Sequence, residues 1–175
     1  MDFDAVKSRF LDLTSDAVAV ARVAPRDDVA RVVFINRGFT DLLGYGPEDI
    51  IGESAHVIYD PATWDDIVKD VAPHFDAGHQ SFAAEARLMR ADGSTFLASI
   101  SLVVLADAET GDRWICGTHR DITRLKEAEA AAKAMRDRLI TALDAYPDPI
   151  VIYDRELRLV SWNSSYVASI CDDPD

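Results

Sequence analysis

Residues 80–122 read QSFAAEARLMRADGSTFLASISLVVLADAETGDRWICGTHRDI, and the period of that stretch decides the fold. Alternation of apolar and polar positions predicts long strands over 80–91 and 94–107 and a third over 113–122. Asp92-Gly93 between the first two is a hairpin signal, and DAETGD at 107–112 supplies the next turn. In the middle strand Phe96, Ala98, Ile100 and Leu102 share the inward face, whereas Leu97, Val103 and Leu105 point outward with Ser99 and Ser101. Consecutive strands joined by turns this short run antiparallel, which excludes a doubly wound parallel sheet and gives an α+β class.

Upstream, residues 17–23 (AVAVARV) and 31–35 (RVVFI) predict two more strands, with PRDD as the turn between them. RGFTDLLGYG is a short helix with Phe39 and Leu42 on one face, closed by Gly44 and Gly46. PEDIIG adds a single turn with Pro47 at its first position. A helix from Asp60-Pro61 turns Trp64, Ile67, Val68 and Val71 inward and is expected to end before Pro73. A stripe of Val6, Phe10 and Leu13 marks an N-terminal helix over residues 1–14.

Beyond the last strand the period becomes helical over residues 123–146. Leu125, Ala132 and Leu139 recur every seven residues, as do Ala128, Met135 and Ala142, the spacing of a parallel two-stranded coiled coil. A single amphipathic helix packed on its own domain is the competing reading. The helix start is expected to be capped by Asp121 and Thr123.

The net charge of −13 is unevenly placed. Residues 123–145 hold five basic and four acidic side chains, and the remainder 13 basic against 27 acidic. Such a surface repels phosphate backbones and anionic headgroups, so neither nucleic-acid binding nor direct membrane contact is expected. Cys116 and Cys171 form no paired motif, so no metal site is expected. A signal peptide and a membrane-length apolar run are both lacking, which points to the cytoplasm. No nucleophile elbow, zinc-binding helix or phosphate loop is present, and no residue is assigned as catalytic.

The chain then starts again. Residues 139–170 restate residues 10–43: an amphipathic run, Asp, a β-rich stretch, a turn, a second β-rich stretch ending in Asn (Asn36, Asn163), and an aromatic three residues on (Phe39, Tyr166). The expected organisation is an N-terminal cap (1–14), a complete domain (15–122), a linker helix (123–146) and the truncated start of a second domain (147–175). Residues 147–175 are expected to pack poorly for want of partner strands.

Three runs in order, VVFINRGFTDLLGYGPEDIIG, EARLMRADGSTFLASISLVV and GTHRDITRLKEAEA, resemble those of PAS sensory domains of the bacterial type over residues 10–123. The resemblance implies a five-stranded antiparallel sheet with short helices on one face and a ligand pocket between them. At that pocket it puts Phe39, Leu42, Trp64, Ile67, Val71, Phe82, Phe96, Ile100 and Trp114, which equally suit a filled core or a small metabolite. A signal is relayed through Asp121, Ile122, Thr123, Leu125, Ala132 and Leu139. The blue-light flavin subfamily carries a reactive Cys where this chain has Ala55, so a covalent flavin adduct is not expected. For a haem, His74 and His79 lie nearest the pocket, but both are expected in an exposed loop, and His56 and His119 are read as ordinary histidines. The heptad spacing and the stripe of Val6, Phe10 and Leu13 together lead to the expectation of a homodimer, formed through the outer sheet face with the N-terminal helix and through the C-terminal helix, although intramolecular capping of that face stays open. The output implied is a two-component histidine kinase or a diguanylate cyclase/phosphodiesterase. A ligand-free interaction domain of a transcription regulator, or a haem or flavin redox sensor, is the alternative.

Overall fold

The fold is known from a computed structural model that describes residues 11–14, 16–25, 27, 29–76 and 79–171, with the side chains of residues 72, 74, 76 and 171 left out. The N-terminal helix expected over 1–14 therefore lies largely outside the described residues, although 11–13 are helical. The chain divides into two compact units between Thr123 and Arg124.

In the first unit, β1 (Ala17–Val23), β2 (Arg31–Ile35), β3 (Ser81–Met89), β4 (Thr95–Ala106) and β5 (Arg113–Asp121) form one antiparallel sheet in the order β2-β1-β5-β4-β3. The β3–β4 hairpin pairs Ser81 with Val103 and Met89 with Thr95, closed by Gly93 at φ 81°. Glycine reaches that left-handed conformation without a Cβ penalty. On one sheet face lie α1 (Arg37–Leu43), α2 (Pro47–Ile50), a 3-10 turn (Ala55–Ile58) and α3 (Pro61–Asp76). Phe39, Leu43, Ile50, Leu88, Ala98 and Ile100 are fully buried between the layers. Burial of that apolar surface stabilises the two-layer arrangement.

Asn36 joins the start of this unit together. Its Oδ1 accepts from the Val18 and Phe39 amides at 2.8 and 2.9 Å, and its Nδ2 donates to the Leu11 and Asp16 carbonyls. One buried side chain thus caps α1 and fixes β1 against it.

Helix α3 does not stop at Pro73 but continues to Asp76. A proline deletes one backbone donor, and with only three residues following it the last turn tolerates the loss. His74 is accordingly helical rather than in a loop, and its side chain lies outside the described residues.

Helix α4 (Thr123–Asp144) leads into the second unit, where β6 (Val151–Tyr153) pairs antiparallel with β7 (Leu159–Trp162), followed by α5 (Ser164–Cys171). Asn163 repeats the bonding of Asn36. Its Oδ1 accepts from the Ile150 and Tyr166 amides, and its Nδ2 donates to the Leu143, Tyr146 and Asp148 carbonyls. The repeat seen in the sequence is therefore also a repeat of hydrogen bonding. Apolar side chains here stay exposed, with Val160 at 59% and Trp162 at 51%. Among the described residues no helix is long and apolar enough to cross a membrane.

Candidate functional site

A cavity of about 840 Å³ opens between the sheet and the helical layer of the first unit. Its position follows from side-chain size on β1 and β5. Ala19 and Ala21 of β1 face inward opposite Gly117 and Ile115 of β5, so the sheet floor is low there. At the other end of the same face Phe96, Leu88 and Ile100 fill the space against α1. Trp64, Ile67, Val68 and Val71 form the wall on α3, and Ser54, Ala55, His56, Ile58 and Tyr59 form the wall on the preceding turn.

The cavity is apolar with few polar groups. Tyr59 and His56 flank Trp64, with ring centroids 5.1 and 5.9 Å away. Burial pushes the Tyr59 hydroxyl up to about 12, so it stays neutral. His119, 3% exposed, stands edge-on to Phe39, and its Nδ1 has no hydrogen-bond partner. Burial lowers its imidazole to about 4, offset in part by the backbone of Ala17. The ring is therefore neutral at pH 7. Among the described residues of the lining Arg113 is the one permanently charged side chain, and none is Asp or Glu.

Of the nine residues expected at a pocket, Phe39, Trp64, Ile67 and Val71 line this cavity. Phe96 and Ile100 are core residues, and Leu42 and Phe82 pack against that core. Trp114 lies on the opposite face, because Arg113, Ile115, Gly117 and His119 take the inward positions of β5. Arg22, directly across from it on β1, places its guanidinium 5.9 Å from the Trp114 ring and bonds the buried Asp112 at 2.8 Å. The cavity floor was readable in the sequence as alanine at 19 and 21, a small-residue face that aromatic content does not reveal.

Ala55 lines the cavity and carries no thiol, and Cys116 points from the outer face of β5, opposite Val20 and Val103. His79 is exposed and outside the lining, whereas His56 and His119 belong to it.

The exit from the sheet is a second constellation. The Thr123 amide donates to Asp121 Oδ1 at 2.9 Å, the Leu97 amide donates to Thr123 Oγ1 at 3.2 Å, and Ile122 is buried. Arg90 Nη2 reaches Asp121 Oδ2 at 3.0 Å, and its Nε donates to the Leu42 carbonyl of α1. Burial opposes ionisation of Asp121, but the Thr123 hydrogen bonds and the Arg90 charge outweigh it and hold the carboxyl below its usual range. Leu125 and Leu139 on α4 are exposed, as is Ala132, and no residue of that helix is buried.

A family model described as PAS domain matches residues 16–124. The bacterioopsin transcriptional activator of Halobacterium salinarum is 24% identical over 113 residues, 65% of this chain. The match spans only 17% of that activator's length. A PAS domain from Colwellia psychrerythraea superposes with a TM-score of 0.61 at 21% identity, covering 70% of this chain and 99% of that one. A PAS domain from a two-component sensor histidine kinase gives 0.52 at 16% identity, covering 67% and 95%.

Proposed function

The chain belongs to the PAS domain family, and from that premise we propose that it is a cytoplasmic signal-sensing and dimerisation module. It takes a small molecule into its cavity and passes a conformational change through Asp121, Ile122 and Thr123 into α4. The observation that carries this reading is the bond chain from α1 to the helix start. Phe39 of α1 lines the cavity, and three residues on, the Leu42 carbonyl accepts from Arg90, which also holds Asp121. A ligand that displaces α1 thereby acts on the carboxylate that caps α4, a local bias on a two-state element.

Filling the cavity tests the relay. Ala21→Leu is expected to alter amide exchange at residues 123–127 while the sheet amides keep their protection. Unchanged exchange there in a folded variant rules the relay out.

Homodimer formation is supported by α4, which has no buried residue and whose Leu125, Met135 and Leu139 are exposed. The exposed Val103 and Leu105 on the outer sheet face support a second contact. Residues 147–171 are read as the opening of another PAS unit, on the strength of the Asn36 and Asn163 parallel. The output is a histidine kinase or a diguanylate cyclase/phosphodiesterase, the former supported by the likeness to a sensor kinase domain. The likeness to a transcriptional activator favours the second reading, a PAS module of a transcription regulator. A phospho-acceptor His helix or a helix-turn-helix in the same polypeptide discriminates the two.

A further inference from the structure

We infer that the cavity is built for an apolar carboxylic acid, with its carboxylate on Arg113 and its body laid across Ala19, Ala21 and Gly117 toward His119. This deepens the ligand-sensing reading and rests on it.

Charge is the first argument. The chain carries 31 acidic residues against 18 Lys and Arg, yet among the described residues of the lining there is no carboxylate and there is Arg113. Arg113 has no ion pair among the described residues. A guanidinium presents a planar fork that matches a carboxylate with two parallel hydrogen bonds.

Shape is the second. Arg113 and His119 stand on one face of β5, six residues apart, so their Cα atoms are separated by roughly 20 Å along the strand. The floor between them is Ile115 and Gly117. A Cβ on Gly117 would come 3.1 Å from both Leu102 Cδ2 and His119 Cε1, so glycine lets those two side chains pack closely on the strand at this end of the floor. The space suits an elongated apolar body with one charged end.

His119 is the third. It closes the far end as a buried, neutral ring beside Phe39. Being neutral, it adds no second cationic end, so the site matches a monoanion. Phosphate esters are a poorer match, because one guanidinium cannot neutralise a dianion and the surrounding field is strongly negative.

Decanoate, held below its micellar concentration, is the probe, and decanol is its neutral match. With the 175-residue chain, calorimetric titration and amide chemical shifts at Ala19, Ala21 and Gly117 provide the readouts. Decanoate is expected to bind saturably, to move those three amides, and to bind about tenfold tighter than decanol, the worth of one charge-assisted pair. Arg113→Gln is expected to abolish that preference by weakening decanoate binding about tenfold. Equal binding of the two probes by the unmodified chain overturns the carboxylate assignment even if Arg113→Gln does not fold. In that outcome shifts at the three amides leave the cavity reading intact. No shift with either probe overturns both.

Discussion

The Arg90 guanidinium stands 3.0 Å from the Asp121 carboxylate and 4.0 Å above the Phe96 ring, while its Nε holds the Leu42 carbonyl at 3.0 Å. One side chain thus touches the helical layer, the sheet and the residue that caps α4. A lysine cannot make all three contacts, because its ammonium lacks a planar fork. The pair is about one-third exposed, so its Coulomb energy alone is modest.

Replacing Arg90 is therefore expected to loosen the helix start more than it destabilises the domain. Arg90→Met should cost about 1 kcal/mol of global stability and raise amide exchange at residues 123–126 several-fold. Arg90→Lys should recover only part of that protection. Full protection in Arg90→Met would show that Asp121 caps α4 without help.

Acid should act at the same place. The Asp121 carboxyl is held below its ordinary value in the fold, so its contribution is fully present above about pH 4. It is lost as the pH falls through the depressed folded value. The N-terminal turn of α4 should fray in that window in the unmodified chain and already be frayed in Asp121→Ala, which removes the acceptor for the Thr123 amide. Hydrogen exchange against pH distinguishes the two.

His119 gives a pH effect in a higher window. Its folded value of about 4 lies below the unfolded value near 6.5, so the unfolded chain binds a proton that the native chain refuses. Stability is complete above about pH 6.5 and declines toward pH 4, by at most about 3 kcal/mol. His119→Gln should flatten that slope in urea melts between pH 7 and 4.5. A slope identical to that of the unmodified chain would assign the acid sensitivity to carboxylates elsewhere.

The two asparagines should respond alike but in separate places. Asn36→Ala leaves the buried Val18 and Phe39 amides without acceptors and should cost about 2 kcal/mol. Asn163→Ala removes the same acceptor from Ile150 and Tyr166, where surrounding apolar side chains remain exposed, so exchange there should rise without a comparable loss in the main unfolding transition. A main transition lowered as much as by Asn36→Ala would contradict that separation.

The strands were legible in the sequence to within two residues because period and turn chemistry agreed. Asp92-Gly93 and Gly111 mark the two turns, and both glycines take positive φ. The helix running through Pro73 was not legible, since a proline marks a lost hydrogen bond and not how many residues follow it. Trp114 shows how site assignment fails. Its aromatic character suggested a pocket, but strand parity decides the face, and one residue of register reverses it. Arg90 had no local signature, because its partners Leu42 and Asp121 lie 48 and 31 residues away. The cavity depends on how far α3 stands from the small residues of β1, a distance that no periodicity encodes.

The coiled-coil seam offers the clearest test of dimerisation. Leu125 is 56% exposed and Leu139 58%, on a 22-residue helix with no buried position. Isolated helices of that composition gain little from propensity alone, so most of their stability must come from burying an apolar stripe. Leu125→Glu combined with Leu139→Glu places like charges at the seam of a parallel pair. The expected outcome is a dimer that becomes a monomer by light scattering while the sheet keeps its thermal transition. Met135, on the second row of the heptad, serves as a cross-check: Met135→Cys should form a disulfide between two chains under mild oxidation if the helices are parallel and in register. An unchanged mass in the double variant, with no cross-link at residue 135, would remove the seam as an interface and return α4 to the reading of a helix that acts within one chain.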